Sequence, residues 1–341
     1  MTKVMQVIAG ARHGGAEAFF MRLVPVLART GIEQRVAIRR HETRSTRLRD
    51  AGLEPLALSF GGWFDFATDP KLARAIDDFA PDVVLAWMSR AARYCRQGEY
   101  ALVGRLGGYY DLKYYRHCDH LIANTTDIAN YLASNGWPRE RTTYIPNFVD
   151  AKPAAAADRE AEDTPTDAPL LLAMGRLHQN KAFDVLLDAM VSLPDAYLWI
   201  AGDGPLGDGL RQQAERLGIA SRVRFLGWRD DVASLLAAAD VLVCPSRHEP
   251  LGNVVIEGWA HRRPVVAAAA QGPSALIEDG RSGLIVPVGD AEALADAIRR
   301  AAFDGDLAAA LADGGQAAYE ADYTEAIVVD RYREFFATVA D

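Results

Sequence analysis

The chain has 341 residues, 50% hydrophobic and 24% charged, with a formal net charge of -9. At about 150 residues per domain this predicts two domains, each able to bury its own core, and it excludes a short peptide or a disordered tail. The apolar runs fall short of the roughly 20 residues that span a bilayer, and Met1-Thr2-Lys3 leads directly into VMQVIA without the basic leader of an export signal, so the expected compartment is the cytoplasm.

Short Val-, Ile- and Leu-rich runs predict strands at 4–9, 34–38, 54–59, 82–87, 101–106, 120–124 and 142–147, with amphipathic helices between them. Residues 151–168 are Ala, Pro and acid without an apolar stripe, and read as a linker after a first domain of 1–150. The pattern restarts in a second domain, 169–323, with strands at 169–175, 196–202, 223–227, 241–246, 264–269 and 283–288. Continuous rather than alternating apolar runs mean strands covered on both faces, as in a doubly wound parallel α/β sheet with ligands at the carboxyl ends of its strands. Two such domains predict a site in the cleft between them.

Charge divides along the same line. Residues 1–150 carry 20 Lys and Arg against 16 Asp and Glu, whereas 151–341 carry 17 against 30. Six arginines (Arg35, Arg39, Arg40, Arg44, Arg47 and Arg49) crowd into fifteen positions, which reads either as a seat for an anionic ligand or membrane headgroups, or as a solvated surface. Cys95, Cys118 and Cys244 are odd in number and far apart, fitting neither a disulfide framework nor a metal site, and read as inert thiols.

Four motifs carry the chemistry. Gly14-Gly15-Ala16-Glu17 follows the first strand and opens a helix, either as a phosphate seat or as a tight turn in which Glu17 complements the helix dipole. Gly202-Asp203-Gly204-Pro205-Leu206-Gly207 is a literal G-x-G-x-x-G, but it follows the second strand of its domain and no acid ends the next one, so a tight turn is the better reading than a dinucleotide site. In Arg247-His248-Glu249-Pro250-Leu251-Gly252-Asn253-Val254-Val255-Ile256-Glu257, Glu249 stands in a loop and Leu251, Gly252, Asn253 and Val254 open a helix whose N–H groups suit an anion, with Glu257 a turn further along to take a ribose diol. Arg176 and Lys181 lie in the loop after the strand at 169–175, at the same sheet edge as Glu249, where two cations suit a diphosphate leaving group without a metal.

In these motifs, with Asp184, the chain resembles the retaining nucleotide-sugar glycosyltransferases of the GT-B fold, glycosyltransferase family 4 or "group 1", whose signature is E-x7-E. The matching residues occur in the family's order across about 10–290. The resemblance implies two Rossmann-like domains facing across a cleft, the acceptor largely on the first and the nucleotide sugar on the second, with a C-terminal helix near 324–340 crossing back onto the first. It implies Arg176 and Lys181 as diphosphate cations, Glu249 at the donor sugar, and Glu257 at the ribose. It also implies backbone contacts from Leu251, Gly252, Asn253 and Val254, Gly14 and Gly15 over the diphosphate, and Gly227 and Trp228 beside the base. Retention in the family is described as front-face attack, in which the leaving phosphate oxygen takes the acceptor proton and no separate base is needed.

Two departures stand out. Many members carry a histidine after the fifth strand, where this chain reads Arg105-Leu106-Gly107-Gly108-Tyr109-Tyr110-Asp111, so the expectation is either that Tyr109, Tyr110 or Asp111 replaces its hydrogen bond or that the acceptor is held differently. Ala182 stands where glycine is usual after the lysine. Tyr109, Tyr110, Tyr114 and Tyr115, with the loop Gly61-Gly62-Trp63-Phe64-Asp65-Phe66, read either as faces for sugar rings or as core. His13, His178 and His248 lack metal-ligand spacing, and Asp304-Gly305-Asp306 reads as a turn. The expected function is transfer of a hexose or N-acetylhexosamine from a UDP- or GDP-sugar to a glycan or lipid-linked acceptor in envelope polysaccharide or lipopolysaccharide synthesis. No metal, cofactor or nucleic acid is expected to take part. The basic half, Arg39 and Arg40 included, is expected at the acceptor and an anionic membrane. The alternatives are a nucleotide-sugar epimerase or hydrolase, or a silent nucleotide-sugar-binding subunit.

Overall fold

The computed structural model describes residues 2–11, 14–61 and 65–340. The chain divides into two units, Met1–Phe148 with Glu325–Asp341, and Val149–Thr324. Unit 1 runs β1 (Lys3–Ile8), α1 (Gly15–Ala28), β2 (Glu33–Arg39), α2 (Glu42–Asp50), β3 (Pro55–Leu58), α3 (Thr68–Phe79), β4 (Val83–Trp87), α4 (Met88–Tyr94), β5 (Ala101–Leu106), β6 (His120–Ala123), α5 (Thr126–Ser134) and β7 (Thr142–Tyr144). Unit 2 runs β8 (Leu170–Met174), α6 (Phe183–Met190), β9 (Tyr197–Ala201), α7 (Gly207–Arg216), β10 (Val223–Gly227), α8 (Val232–Ala238), β11 (Val241–Cys244), α9 (Asn253–Ala260), β12 (Val265–Ala268), α10 (Gln271–Leu276), β13 (Leu284–Val286), α11 (Ala291–Phe303) and α12 (Gly305–Asp322), after which α13 (Glu325–Ala340) rejoins unit 1. Every predicted strand is present. Those expected at 142–147 and 241–246 stop at Tyr144 and Cys244, ahead of Pro146 and Pro245, which have no N–H to give a ladder.

Both sheets are wholly parallel. Unit 1 has the order β3-β2-β1-β4-β5-β6-β7 and unit 2 the order β10-β9-β8-β11-β12-β13. In each, the order reverses between two neighbouring strands, β1 and β4 or β8 and β11, and the loops leaving those two diverge to open a crevice at the carboxyl edge. Apolar side chains pack on both faces of each sheet: Phe19, Phe20 and Trp87 on one face of unit 1 and Leu72, Phe79 and Leu121 on the other, then Leu186, Leu198 and Ile298 against Trp199, Leu242 and Trp259 in unit 2.

Helix α13 completes the first of these layers with Val328, Tyr332 and Phe336. Tyr332 Oη accepts from Nε of Arg105 at 2.7 Å, while Nη2 of Arg105 donates to Asn147 and its guanidinium lies 4.6 Å from the ring centre of Phe19 and 4.5 Å from that of Trp87. Arg105, 1% exposed, is thus buried among hydrogen-bond acceptors and π faces, which offset part of its desolvation. Residues 151–168 have little regular structure beyond a single 3-10 turn, yet they are tied to unit 2: Arg159 donates to Ala238 O at 3.0 Å and pairs with Asp240 at 2.9 Å, and Trp199 Nε1 donates to Thr164 Oγ1 at 2.9 Å.

One of the six clustered arginines leaves the surface. Arg44 turns inward, where Nη2 donates to Ala11 O at 3.0 Å near the Glu17 carboxylate; burial lowers its pKa and Glu17 opposes that shift. Arg35 covers the Phe79 ring at 5.0 Å and Arg49 pairs with Glu54 at 3.2 Å, and both stay exposed, as do Arg39, Arg40 and Arg47.

Candidate active site

In unit 2 the loops after β8 and β11 meet at the crevice between those strands. The first carries Arg176 and then a 3-10 turn, Gln179–Lys181, capped by His178, whose Nδ1 accepts from Asn180 N at 3.3 Å. The second carries Ser246, Arg247, His248 and Glu249. Lys181 Nζ donates to Glu249 Oε2, and Glu249 is only 9% exposed. Burial opposes the Lys181 ammonium, but Glu249, with Cys244 and Glu257 within electrostatic reach, outweighs it and holds the lysine above its usual pKa. Glu257 therefore belongs to the same charge cluster. Beneath it the Cys244 thiol is pushed up to about 11, by burial first and then by Glu249, and stays protonated. Arg176 is exposed and has no ion-pair or hydrogen-bond partner among the described residues. The two predicted cations thus differ: one is held by a carboxylate and the other points into solvent.

A clamp fixes the two loops together. Arg247 Nη1 and Nη2 donate to Asp184 Oδ1 and Oδ2 at 2.7 and 2.6 Å, and the N–H groups of Arg247 and His248 both donate to Asn180 O, at 2.8 and 3.1 Å. Arg247 holds Asp184 below its ordinary pKa by hydrogen bonding first, and Asp184 raises that of Arg247 in return. Sequence reasoning gave Arg247 no role, because nothing in a chain separation of 63 residues announces the pairing. Ala182, at φ 52°, occupies the left-handed region that explains why glycine is usual there. The strain of about 1 kcal/mol is offset by burial of its methyl, about 0.8 kcal/mol.

The G-x-G-x-x-G segment is a packing device. A Cβ on Gly202, at φ 148°, would lie 1.9 Å from Gly175 O, so only glycine lets this turn approach the Arg176 loop. Leu177 N donates to Asp203 O at 2.9 Å and Leu206 N to Leu177 O at 3.1 Å, stitching the two loops together. Next along the edge, Gly227 N–H-side geometry is left-handed at φ 67°, and Trp228 N donates to Asp203 Oδ2 at 3.1 Å with its indole 61% exposed. Gly252, at φ 73°, is the N-cap of α9, so Asn253 and Val254 form its first turn with Leu251 just outside. That end carries the positive pole of the helix dipole. Asp304 caps α12 by accepting from Leu307 N at 3.0 Å, which accounts for the Asp304-Gly305-Asp306 turn.

In unit 1, Gly14 is the N-cap of α1 and Gly15 its first residue. Glu17 folds back into this turn, where Oε1 accepts from Ala11 N at 2.6 Å, so a carboxylate already complements the dipole there. Tyr109 Oη donates to Asp127, and its ring meets Tyr131 edge-on at 5.3 Å. Tyr110 is half-buried, and its carbonyl accepts from Tyr131 Oη at 3.2 Å. Asp111 caps a 3-10 turn and pairs with Lys113 at 2.7 Å. The Tyr109 hydroxyl and the Asp111 carboxylate are therefore engaged locally, whereas Tyr110 is held through its backbone carbonyl. His13 and the loop residues Gly62, Trp63 and Phe64 lie outside the described residues, and Phe66 beyond them is exposed. Arg39 and Arg40 lie exposed at the carboxyl end of β2.

Residues 168–304 match the family described as "Glycosyl transferases group 1", and residues 13–152 match "Glycosyltransferase Family 4". A lipopolysaccharide core biosynthesis glycosyltransferase of Rhizobium meliloti, LpsE, is 38% identical over 96% of this chain and 97% of its own length, and LpsD of the same organism is 37% identical over 98% of both. Among solved structures, Anabaena Alr3699/HepE in complex with UDP and glucose superposes with a TM-score of 0.84 at 22% identity, over 99% of this chain and 100% of that one, and a Rickettsia africae glycosyltransferase with 0.88 at 18%, over 99% and 98%. The paired parallel sheets, the motif order and relatives matched end to end make this chain a member of the family 4, "group 1", glycosyltransferases of the GT-B fold.

Proposed function

We propose that the chain transfers a hexose or N-acetylhexosamine, with retention, from a UDP- or GDP-sugar to a hydroxyl of the lipopolysaccharide core. The observation that carries this reading is the Lys181–Glu249 pair, with Glu257 in its field, at the switch point of the unit 2 sheet. An ammonium has three donors, so Lys181 can keep Glu249 and still engage a phosphate oxygen, with Arg176 joining from solvent. Neutralised in this way, the diphosphate leaves as the bond from the anomeric carbon to its oxygen breaks. The acceptor oxygen bonds on the same face, and its proton passes to the departing phosphate oxygen. Glu249 faces the positive charge that develops on the sugar, Glu257 takes the ribose diol, and the α9 amides of Leu251, Gly252, Asn253 and Val254 take sugar hydroxyls and phosphate.

In this reading Trp228 and Gly227 flank the base, Gly14 and Gly15 approach the diphosphate, and unit 1 takes the acceptor, with Tyr109, Tyr110 and Asp111 at its edge. The reaction needs no metal, since the two cations and the helix dipole carry the leaving-group charge. The names of the two Rhizobium relatives, each more than a third identical along its whole length, support the lipopolysaccharide core as acceptor. No described helix is long and apolar enough to cross a membrane, and contact with anionic lipid is assigned to the exposed arginines of unit 1.

Glu249→Gln tests the reading. Turnover should fall by two orders of magnitude or more, the scale of lost electrostatic stabilisation at a reacting centre, while calorimetry shows UDP or GDP binding nearly unchanged. Unaltered turnover with UDP-glucose, UDP-N-acetylglucosamine, UDP-galactose or GDP-mannose, whichever the wild type uses, refutes the role.

A further inference from the structure

Asn124 stands one residue past β6, ahead of Thr125, the N-cap of α5. It is 3% exposed, and neither Oδ1 nor Nδ2 has a hydrogen-bond partner among the described residues. A buried amide left unpaired costs about 1–3 kcal/mol per group, and such a group in a native interior calls for a reason. Directly across the ladder, where Leu106 pairs with Ala123, the next residue of the β5 edge is Gly107. A Cβ on Gly107 would have two neighbours within 4 Å, Asn124 Nδ2 at 3.7 Å and Ala16 Cβ at 3.8 Å, both at ordinary contact, and its φ lies outside the left-handed region. Neither sterics nor backbone conformation demands glycine there, in the bend just past β5, although glycine gives the unfolded chain more freedom than alanine would, a cost of about 0.4–1 kcal/mol. Two separate costs thus fall on facing residues at the carboxyl edge of one sheet, beside the opening turn of α1, to which Ala16 belongs.

We propose that Asn124 and the side-chain-free Gly107 form a niche for a sugar hydroxyl of the substrate. The inference deepens the glycosyl-transfer reading and rests on it. The chemistry of the orphan pair selects the ligand. A carboxamide has donors on Nδ2 and an acceptor on Oδ1, and a hydroxyl both accepts and donates, so it can satisfy either atom or span both. A phosphate oxygen would leave Oδ1 unpaired, and a cation would leave Nδ2 unpaired. The hydroxyl belongs either to the donor sugar or to the acceptor glycan.

Asn124→Ala and Gly107→Ala in the full-length chain test this. The first deletes an unpaired buried amide and the second replaces a glycine at a permissive position, so both should melt at or above the wild-type temperature. Calorimetry with UDP and with the nucleotide sugar that the wild type binds best reads the donor arm. The KM for lipopolysaccharide extracted from cells lacking this chain reads the acceptor arm. A tenfold or greater loss in sugar-nucleotide affinity at constant UDP affinity assigns the hydroxyl to the donor, and a tenfold rise in acceptor KM assigns it to the glycan. Two variants that leave both quantities unchanged overturn the proposal, as does a lowered melting temperature with equal losses for UDP and its sugar. A wild type that binds no nucleotide and transfers nothing refutes the glycosyl-transfer reading itself.

Discussion

Lys181 and Glu249 lie 68 positions apart, yet one hydrogen bond joins them, and the site's electrostatics follow from that pair. Without Lys181, Glu249 would be a nearly buried carboxylate with its main counter-charge gone; without Glu249, the lysine would lose the partner that outweighs its own desolvation. Lys181→Ala should therefore weaken UDP by about 10–100-fold, the worth of a charged hydrogen bond of about 1.5–3 kcal/mol, and leave uridine unaffected. Calorimetry with both ligands checks this, and equal losses would contradict a phosphate contact. The residue types at the site were legible in the sequence because only cations and helix amides suit a diphosphate. The internal pairing was not, since an ammonium reads alike whether it faces a carboxylate or solvent. Asn124 left no trace at all, because an asparagine ahead of a capping threonine looks like any helix start.

Among the elements, the loops after β8 and β11 keep their spacing through the Arg247–Asp184 clamp and the Asn180 carbonyl. The carboxyl of Asp184 has a folded pKa below its ordinary 3.8. It thus adds stability above the ordinary aspartate range, and that contribution is lost as pH falls from about 4 through the lowered folded value. Asp184→Asn should cost at most about 1 kcal/mol at neutral pH, because the pair is partly exposed, and its melting temperature should converge on that of wild type below about pH 4. Transfer kcat should fall more than UDP affinity, since the spacing of Lys181 and Glu249 is what slackens; a parallel loss in both, or a gap in melting temperature that persists in acid, would rule the clamp out as a positioning device. Strands buried on both faces announce themselves as apolar runs, and each of the thirteen strands among the described residues overlaps a segment read in this way. A clamp between loops from two separate strands becomes visible only when the strand order β8-β11 brings them together.

For the molecule as a whole, the charge split outlasts the loss of Arg44 from the exposed cluster. With Arg44 turned inward, five of the six stay exposed, and of these Arg39, Arg40 and Arg47 have neither the ring contact of Arg35 nor the carboxylate of Arg49. At about 1 kcal/mol per basic residue near an anionic surface, replacing these three with Gln should lower sedimentation with phosphatidylglycerol vesicles by roughly 100-fold in partition coefficient. Equal sedimentation in the variant would return the cluster to a solvated surface. Neutral phosphatidylcholine vesicles should capture neither protein.

Helix α13 sets an order of events on the ribosome. Most of unit 1 leaves the exit tunnel before unit 2, yet its element Glu325–Ala340 is separated from Phe148 by the whole of unit 2. During the roughly 10–40 s that synthesis at 5–20 residues per second takes to cover the rest of the chain, the side chains that meet Val328, Tyr332 and Phe336 lack their cover and Arg105 lacks its phenol partner. The nascent protein therefore carries a sticky, half-dressed sheet until the sixteen-residue helix α13 emerges, and a message truncated anywhere in unit 2 yields a first unit fit for proteolysis rather than for binding.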